Sequence, residues 1–432
     1  MKLTDYLMSI LGLLVLVTAV LLIYKLLRIT NSDGFADFRD TSEFKAALDK
    51  VVALGDARQD GRPGIQNMLA TYTSQTNTKD PLPESQTSLV NFYTLGCRFA
   101  GYLGPYENGF VAPDKSVEYA VKMGCRTFIL EIGYIEECGN YFPKVMIRSV
   151  QNVKLQSATS FPTCETSAHS SIKDVCQALQ QYAFKDSNQG PLLLVLYILE
   201  LPKVDNAADP NRLLKYYSNI AKSLEPLKTL RLDSLAEGGT YSRQKQESRL
   251  LANTITDYNG RVIVLCNVDT SGFRKPPPGI SFEPDADLDY WVNLRLSKKQ
   301  AQLGATAQSS GGVFGVIDTV QSFLSITEAS KIQETVDGSK LTWTLCLEQN
   351  PETVTDSATF TKLTSTFGIN CIPIQIWKSE YDYLYDKTTG LFAKYSYVPK
   401  PSALRYIKEP IYIAAVPSPK MDGKGGMLQT PS

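Results

Sequence analysis

An α/β barrel of eight strands, preceded by one transmembrane helix, is the architecture this sequence predicts, and three observations predict it. Ser116 to Ile132, SVEYAVKMGCRTFILEI, reads as a short helix feeding a core strand: Val117, Ala120, Val121 and Met123 share one helical face, Gly124 supplies the stop, and Thr127 to Ile132 is β-branched and apolar. Strand-length apolar runs recur at Phe92 to Cys97, Thr127 to Ile132, Lys144 to Ser149, Leu192 to Leu199, Arg261 to Val268, Tyr290 to Leu296, Thr342 to Leu347 and Ile372 to Trp377, with helices between several of them. Tyr6 to Tyr24, YLMSILGLLVLVTAVLLIY, carries no charge between Asp5 and Lys25. A helix of that length spans about 28 Å, close to the hydrocarbon thickness of a bilayer.

The first 30 residues are therefore an anchor. The apolar run exceeds a signal-peptide core and no small-x-small cleavage site follows it. Lys25 and Arg28 follow the helix while Lys2 and the amino terminus precede it, a mild bias toward a single-pass membrane protein with a cytoplasmic C-terminal domain. Two further features agree with that side. No Asn is followed two residues later by Ser or Thr. The eight cysteines (Cys97, Cys125, Cys138, Cys164, Cys176, Cys266, Cys346, Cys371) show no paired spacing.

Residues 31–89 read as a juxtamembrane helix and a polar linker. Ser42 caps a helix from Glu43 to about Leu54, with Phe44, Leu48, Val51 and Val52 on one face and Gly55 as its stop. Residues 71–88 carry two prolines and no apolar period, the pattern of a linker. The barrel is expected over residues 90–405, with a low-complexity loop at Gly304 to Gly315, and residues 406–432 form a mobile tail.

Composition narrows the function. With 432 residues, 44 acidic and 44 basic, the chain has a large core and no net charge to recruit nucleic acid. Lys298-Lys299 is a solvated face without aromatic interleaving, and Glu136-Glu137 and Asp285, Asp287 and Asp289 read as acidic surface. There is no CxxC, no HExxH and no phosphate-binding GxxxxGK[ST]. His169 is the one histidine, just ahead of a helix opening at Ser171.

The wording of the strands resembles phosphoinositide-specific phospholipase C. Ser116 to Ile132 is similar to that family's barrel opening, Ser171 to Tyr197 to its next helix and strand, Asn259 to Asn267 (NGRVIVLCN) to a following core strand, and Gly368 to Trp377 (GINCIPIQIW) to its last. Gly390-Leu391-Phe392 and Tyr397 to Pro401 resemble its closing turn. The resemblance covers residues 90 to 402 and implies a TIM barrel of the phospholipase C-like type.

It also implies a site. The family uses two histidines for proton transfer and calcium held by Asn, Glu, Asp and Glu. Laid on Cys97 to Leu103, CRFAGYL, the first histidine becomes Phe99 and the calcium-binding Asn becomes Ala100, while Tyr102-Leu103 match. The acids of the second strand fall on Ile129 and Glu131, the second histidine on Ile147 with Arg148 after it, and the fourth calcium ligand on Tyr197. Two lysines that bind head-group phosphates fall on Leu265 and Asn267.

A phenyl ring and a branched alkyl chain transfer no protons, and one carboxylate does not replace several oxygen ligands. No catalytic residue and no metal ligand set is therefore expected, calcium included. The expectation is a membrane-anchored, catalytically inactive barrel that binds or scaffolds, tied to the bilayer through residues 6–24 and meeting a protein or an apolar ligand at its mouth. A virion membrane suits such a chain as well as a cellular one. The alternative is a phosphoric diester hydrolase with a rearranged site built from Glu131, Arg148 and His169.

Overall fold

The structure, a computed structural model, describes residues 41–58, 64–74, 80–104, 110–137, 140–146, 170–185, 190–202, 211–232, 241, 243–244, 249–274, 281, 283–297 and 313–408. In chain order its strands are β1 (Phe92–Thr94), β2 (Gly96–Arg98), β3 (Thr127–Glu137), β4 (Asn140–Val145), β5 (Leu192–Ile198), β6 (Val262–Cys266), β7 (Leu294–Ser297), β8 (Val313–Thr319), β9 (Trp343–Leu347), β10 (Pro373–Ile374) and β11 (Tyr397–Pro399). Its α-helices are α1 (Ser42–Arg58), α2 (Ile65–Ser74), α3 (Pro113–Lys122), α4 (Ile172–Tyr182), α5 (Arg212–Ser223), α6 (Leu288–Trp291), α7 (Val320–Leu324), α8 (Ala329–Leu341) and α9 (Ser357–Phe367).

Eight strands run parallel in the order β10, β2, β3, β5, β6, β7, β8, β9. The ring is nearly closed by an isolated bridge just ahead of β10, where Cys346 N donates to Cys371 O at 3.0 Å and Cys371 N to Thr344 O at 3.1 Å. This is a parallel α/β barrel, as the sequence predicts.

Strand composition follows from burial on both faces. Along β5, LLLVLYI, Leu193 and Val195 join the cluster inside the barrel while Leu192, Leu194, Leu196 and Ile198 join the layer beneath the helices. A strand without a solvent face needs no polar alternation, hence the continuous apolar run.

Several elements differ from expectation. The described part of the stave expected at Lys144 to Ser149 does not join the barrel: β4 folds back antiparallel on the second half of β3, pairing Ile132 with Val145 through Glu137 with Asn140, and residues 147–149 lie outside the described residues. The missing stave is β8, which begins inside the stretch read as a low-complexity loop. Tyr290 to Leu296 opens as the single turn α6, capped by Asp287, and becomes strand only at Leu294. Phe92 to Cys97 divides at Leu95, because β1 turns away to pair antiparallel with β11.

Within residues 71–88, residues 71–74 end α2, 75–79 lie outside the described residues, and Leu82 is buried ahead of two short 3-10 turns, Glu84–Gln86 and Leu89–Asn91. Ile65, Met68, Leu82 and Leu89 merge with the inward-facing barrel residues and form a floor across the N-terminal ends of the strands. An ion pair between Arg405 and Asp80, at 2.8 Å, ties the floor to the chain leaving the barrel.

The juxtamembrane helix docks on the barrel. It does not stop at Gly55 but runs on to Arg58, and Gly55 allows the contact: a Cβ there would stand 2.5 Å from Cδ1 of Tyr119 on α3. Arg58 Nη2 reaches Asp382 Oδ1 at 2.7 Å and Lys378 O at 2.7 Å. The expected anchor at Tyr6 to Tyr24 and most of the expected tail lie outside the described residues. Among the described residues, no helix is long and apolar enough to cross a membrane.

Candidate functional site at the barrel mouth

In a parallel barrel the C-terminal strand ends form the mouth, and loops rooted there carry the chemistry. Register places the inward residues in layers. Arg98 lies opposite Ile129, Ile129 opposite Val195 and Val195 opposite Leu265; one step nearer the mouth, Glu131 lies opposite Tyr197.

Arg98 organises this end. Its Nε donates to Glu131 Oε1 at 2.6 Å and its Nη1 to the Glu348 carbonyl oxygen at 2.9 Å, with both members of the ion pair sealed from solvent. Glu348, at the exit of β9, accepts from Thr355 Oγ1 at 2.8 Å and from Gln321 Nε2 at 3.3 Å. The Arg98 guanidinium also lies 4.7 Å from the Phe99 ring centroid. Sequence reasoning passed over Arg98 because a lone arginine reads as surface; its place in the otherwise apolar run from Leu95 to Ala100 was the available signal.

Phe99 adopts φ 61, the one described non-glycine residue with positive φ, and is almost completely buried. Its ring stacks on Trp377 with centroids 6.2 Å apart and planes 22° off parallel. A β-carbon in the left-handed region costs about 1–2 kcal/mol, so the ring's packing must offset that cost. Ala100 is fully buried beside it. The matched Tyr102 donates to the Val145 carbonyl oxygen at 2.5 Å and accepts from Ser170 N at 3.2 Å, fastening the exit of β2 to β4.

The remaining positions are divided. Ile129 and Leu265 are sealed in the barrel core beneath Glu131. Tyr197 is half-buried on the Glu131 layer. Asn267 faces the end of β5, where Oδ1 accepts from Ile198 N at 2.7 Å and Nδ2 donates to Ile198 O at 2.9 Å, so its amide serves as a strand extension. Ile147, Arg148 and His169 lie outside the described residues.

Two chemistries can be weighed on these groups. Calcium fits poorly: the oxygen of Glu131 that would face it already holds a guanidinium, and the neighbouring inward positions supply a methyl group and alkyl chains in place of hard oxygens. Proton transfer fares no better at Tyr381, whose phenol burial pushes well above its ordinary range despite the nearby Arg98 charge. The acidic cluster is spent on structure. Asp285 pairs with Lys228 and Arg231, which hold its carboxyl below the usual carboxylate range; Asp287 caps α6; and Asp289 accepts from Thr270 Oγ1 at 2.7 Å.

No protein-family model and no curated protein sequence matches the chain. Among solved structures it is similar to PLC21 of L. pealei, at 13% identity and TM-score 0.46 over 76% of this chain and 39% of that one. It is also similar to a calcium-dependent phosphoinositol-specific phospholipase C of Pseudomonas sp, at 11% identity and TM-score 0.43 over 73% and 96% of the two chains. A third is the calcium-dependent phosphatidylinositol-specific phospholipase C of Streptomyces antibioticus, at 8% identity and TM-score 0.42 over 67% and 95%.

Proposed function

We propose that this chain is a membrane-anchored phospholipase C-like barrel that does not cleave phosphodiesters and works by binding a protein or an apolar ligand at its C-terminal mouth. One observation carries the reading. Where the resemblance expects a proton-transferring histidine stands Phe99, packed near the Arg98 guanidinium and the Trp377 indole, beside an acid already neutralised by that same arginine. Proton transfer and charge stabilisation each supply roughly 10²-fold or more in such reactions, and this corner of the mouth offers neither. What it offers is rigid packing, the property of a binding scaffold.

The test is turnover by the full-length protein in vesicles containing phosphatidylinositol or its phosphorylated forms, with calcium added. The expected result is no release of inositol phosphate. Any calcium-dependent release would replace the binding reading with a rearranged hydrolase. Photo-crosslinking from Phe142, which is 39% exposed on the hairpin above the mouth, is the route to the partner.

A further inference from the structure

We propose that α1 is a strap that holds the barrel with its C-terminal mouth toward the lipid bilayer carrying residues 6–24. The inference rests on the anchor reading of that stretch and adds to it the direction in which α1 is docked.

The βα connection fixes that direction. The chain leaves β2 at the mouth, and α3 carries it back to the N-terminal start of β3 at the floor. Three contacts then set α1 alongside α3 in the same sense. Phe44, in the first turn of α1, meets Phe110 just ahead of α3, edge to face at 5.7 Å. Gly55 lies on Tyr119 within α3. Arg58, the last residue of α1, reaches Met123 at the end of α3. Thr41 therefore stands at the mouth end.

Tether length turns this placement into an orientation. Residues 25–41 at full extension reach at most about 60 Å, and a relaxed coil of that length spans about 20–25 Å. A domain of this size has a radius of gyration of about 20 Å and is about 50 Å across. With the mouth toward the bilayer the relaxed span suffices. With the floor toward it, the tether must run down the whole flank close to full extension. The C-terminal end of the strap is held as well, because Arg58 is clasped by Asp382 and by the Ile376 and Lys378 carbonyl oxygens in the segment that follows β10, and α2 continues into the floor. Exposed apolar side chains do not choose between the ends, since Phe142 and Leu201 stand near the mouth and Leu341 and Ile407 near the floor. The strap does.

Those exposed positions serve as matched probes. Full-length protein carrying a photo-crosslinking amino acid in place of Phe142 or of Leu341 is inserted into phosphatidylcholine vesicles, illuminated and analysed for lipid adducts. The expected result is a several-fold excess of adduct at 142; equal yields, an excess at 341 or no adduct at either position overturns the proposal. Arg58→Ala should bring the two yields together while the protein stays in the alkali-resistant membrane pellet, and an unchanged ratio overturns the strap. If Arg58→Ala fails to fold, Asp382→Asn loosens the same end through an exposed partner. Loss of the parent protein from the alkaline pellet overturns the anchor reading itself and is scored separately from the adduct ratio.

Discussion

Arg98 Nε stands 2.6 Å from Glu131 Oε1 with both side chains sealed from solvent, so the mouth carboxylate that the resemblance assigns to calcium is held by a cation of the chain itself. Burying two charges is costly, and their attraction repays the cost only while both are present. Glu131→Leu and Arg98→Met should each destabilise the domain by about 3–5 kcal/mol, since each leaves the other charge buried without its partner. The double variant Arg98→Met/Glu131→Leu should lie closer to the parent than either single. Urea denaturation of the four proteins checks this; losses that simply add would mean that the two groups are not coupled.

The barrel was legible because its central staves are buried on both faces: Thr127 to Ile132 and Leu192 to Ile198 announce themselves by composition alone. β8 was not. Its Gly315 reads as loop, yet a Cβ there would stand 2.3 Å from Leu296 Cδ2 and 3.1 Å from the Trp343 carbonyl oxygen, so the glycine is what lets β7 and β9 approach. The site was half legible. Phe99 and Glu131 followed from the resemblance, whereas Arg98 did not, because the layer it shares with Ile129, Val195 and Leu265 exists only once the strands are in register. The docking of α1 was legible in part: Phe44 and Val51 lie on the apolar face read from the sequence, whereas the buried Gly55 and Arg58 belong to no apolar stripe.

A chain beginning at Ser32 should fold, and one beginning at Gly64 should not match it. Removing α1 uncovers Phe110, Tyr119 and Met123 and discards the buried guanidinium of Arg58. Charge-assisted hydrogen bonds are worth about 1.5–3 kcal/mol each, and an uncovered aromatic side chain adds a similar amount. The shorter chain should melt well below the longer one or aggregate on expression, and equal melting temperatures would show that α1 only rests on the barrel.

Lys400 gives the floor a pH dependence. Its ammonium group is completely buried, and burial pushes its pKa down to about 7. Its Nζ donates to Ser339 O at 2.9 Å and Asn370 Oδ1 at 3.2 Å, two acceptors for the two N–H groups of a neutral amine. In the unfolded chain a lysine holds its proton to about 10.4. Between pH 7 and about 10 the unfolded state thus binds the extra proton, so this group's contribution to stability rises with pH there; below 7 both states are charged and the folded state bears the whole penalty. Buried thiols such as Cys266, raised to about 12, act in the opposite direction above about 8.5, so the effect is read as a difference between proteins. Lys400→Met should gain most over the parent near pH 7 and least near pH 10, measured by urea midpoints. A constant difference would mean that the lysine keeps its ordinary pKa.

Phe99 sets two effects against each other. Phe99→Gly relieves a left-handed backbone worth about 1–2 kcal/mol but deletes a buried ring whose removal ordinarily costs about 3–5 kcal/mol. The ring is almost completely buried and packs near Arg98 and Trp377, so packing should win and the variant should lose about 2–3 kcal/mol net. Denaturation midpoints decide it, and a stabilised variant would show that the ring is loosely held and that the mouth is open at this point.

Calcium should leave the melting temperature of the domain unchanged. A ligand that binds only the folded state raises stability by RT ln(1 + [L]/Kd), so millimolar calcium reports any site of micromolar affinity as a clear upward shift. The mouth offers the Glu131 carboxylate, but its Oε1 faces the Arg98 guanidinium at 2.6 Å, and a divalent cation there would have to displace that charge or lie against it. Ala100, Ile129 and Leu265 add no oxygen donors from their side chains. Arg98→Ser frees the carboxylate but still leaves far fewer ligands than the six to eight oxygens calcium takes, so this variant should be less stable than the parent and equally indifferent to calcium. A calcium-dependent rise in the parent that is lost in Glu131→Gln would show that the cation competes successfully with Arg98, and the mouth would then have to be regarded as a metal site.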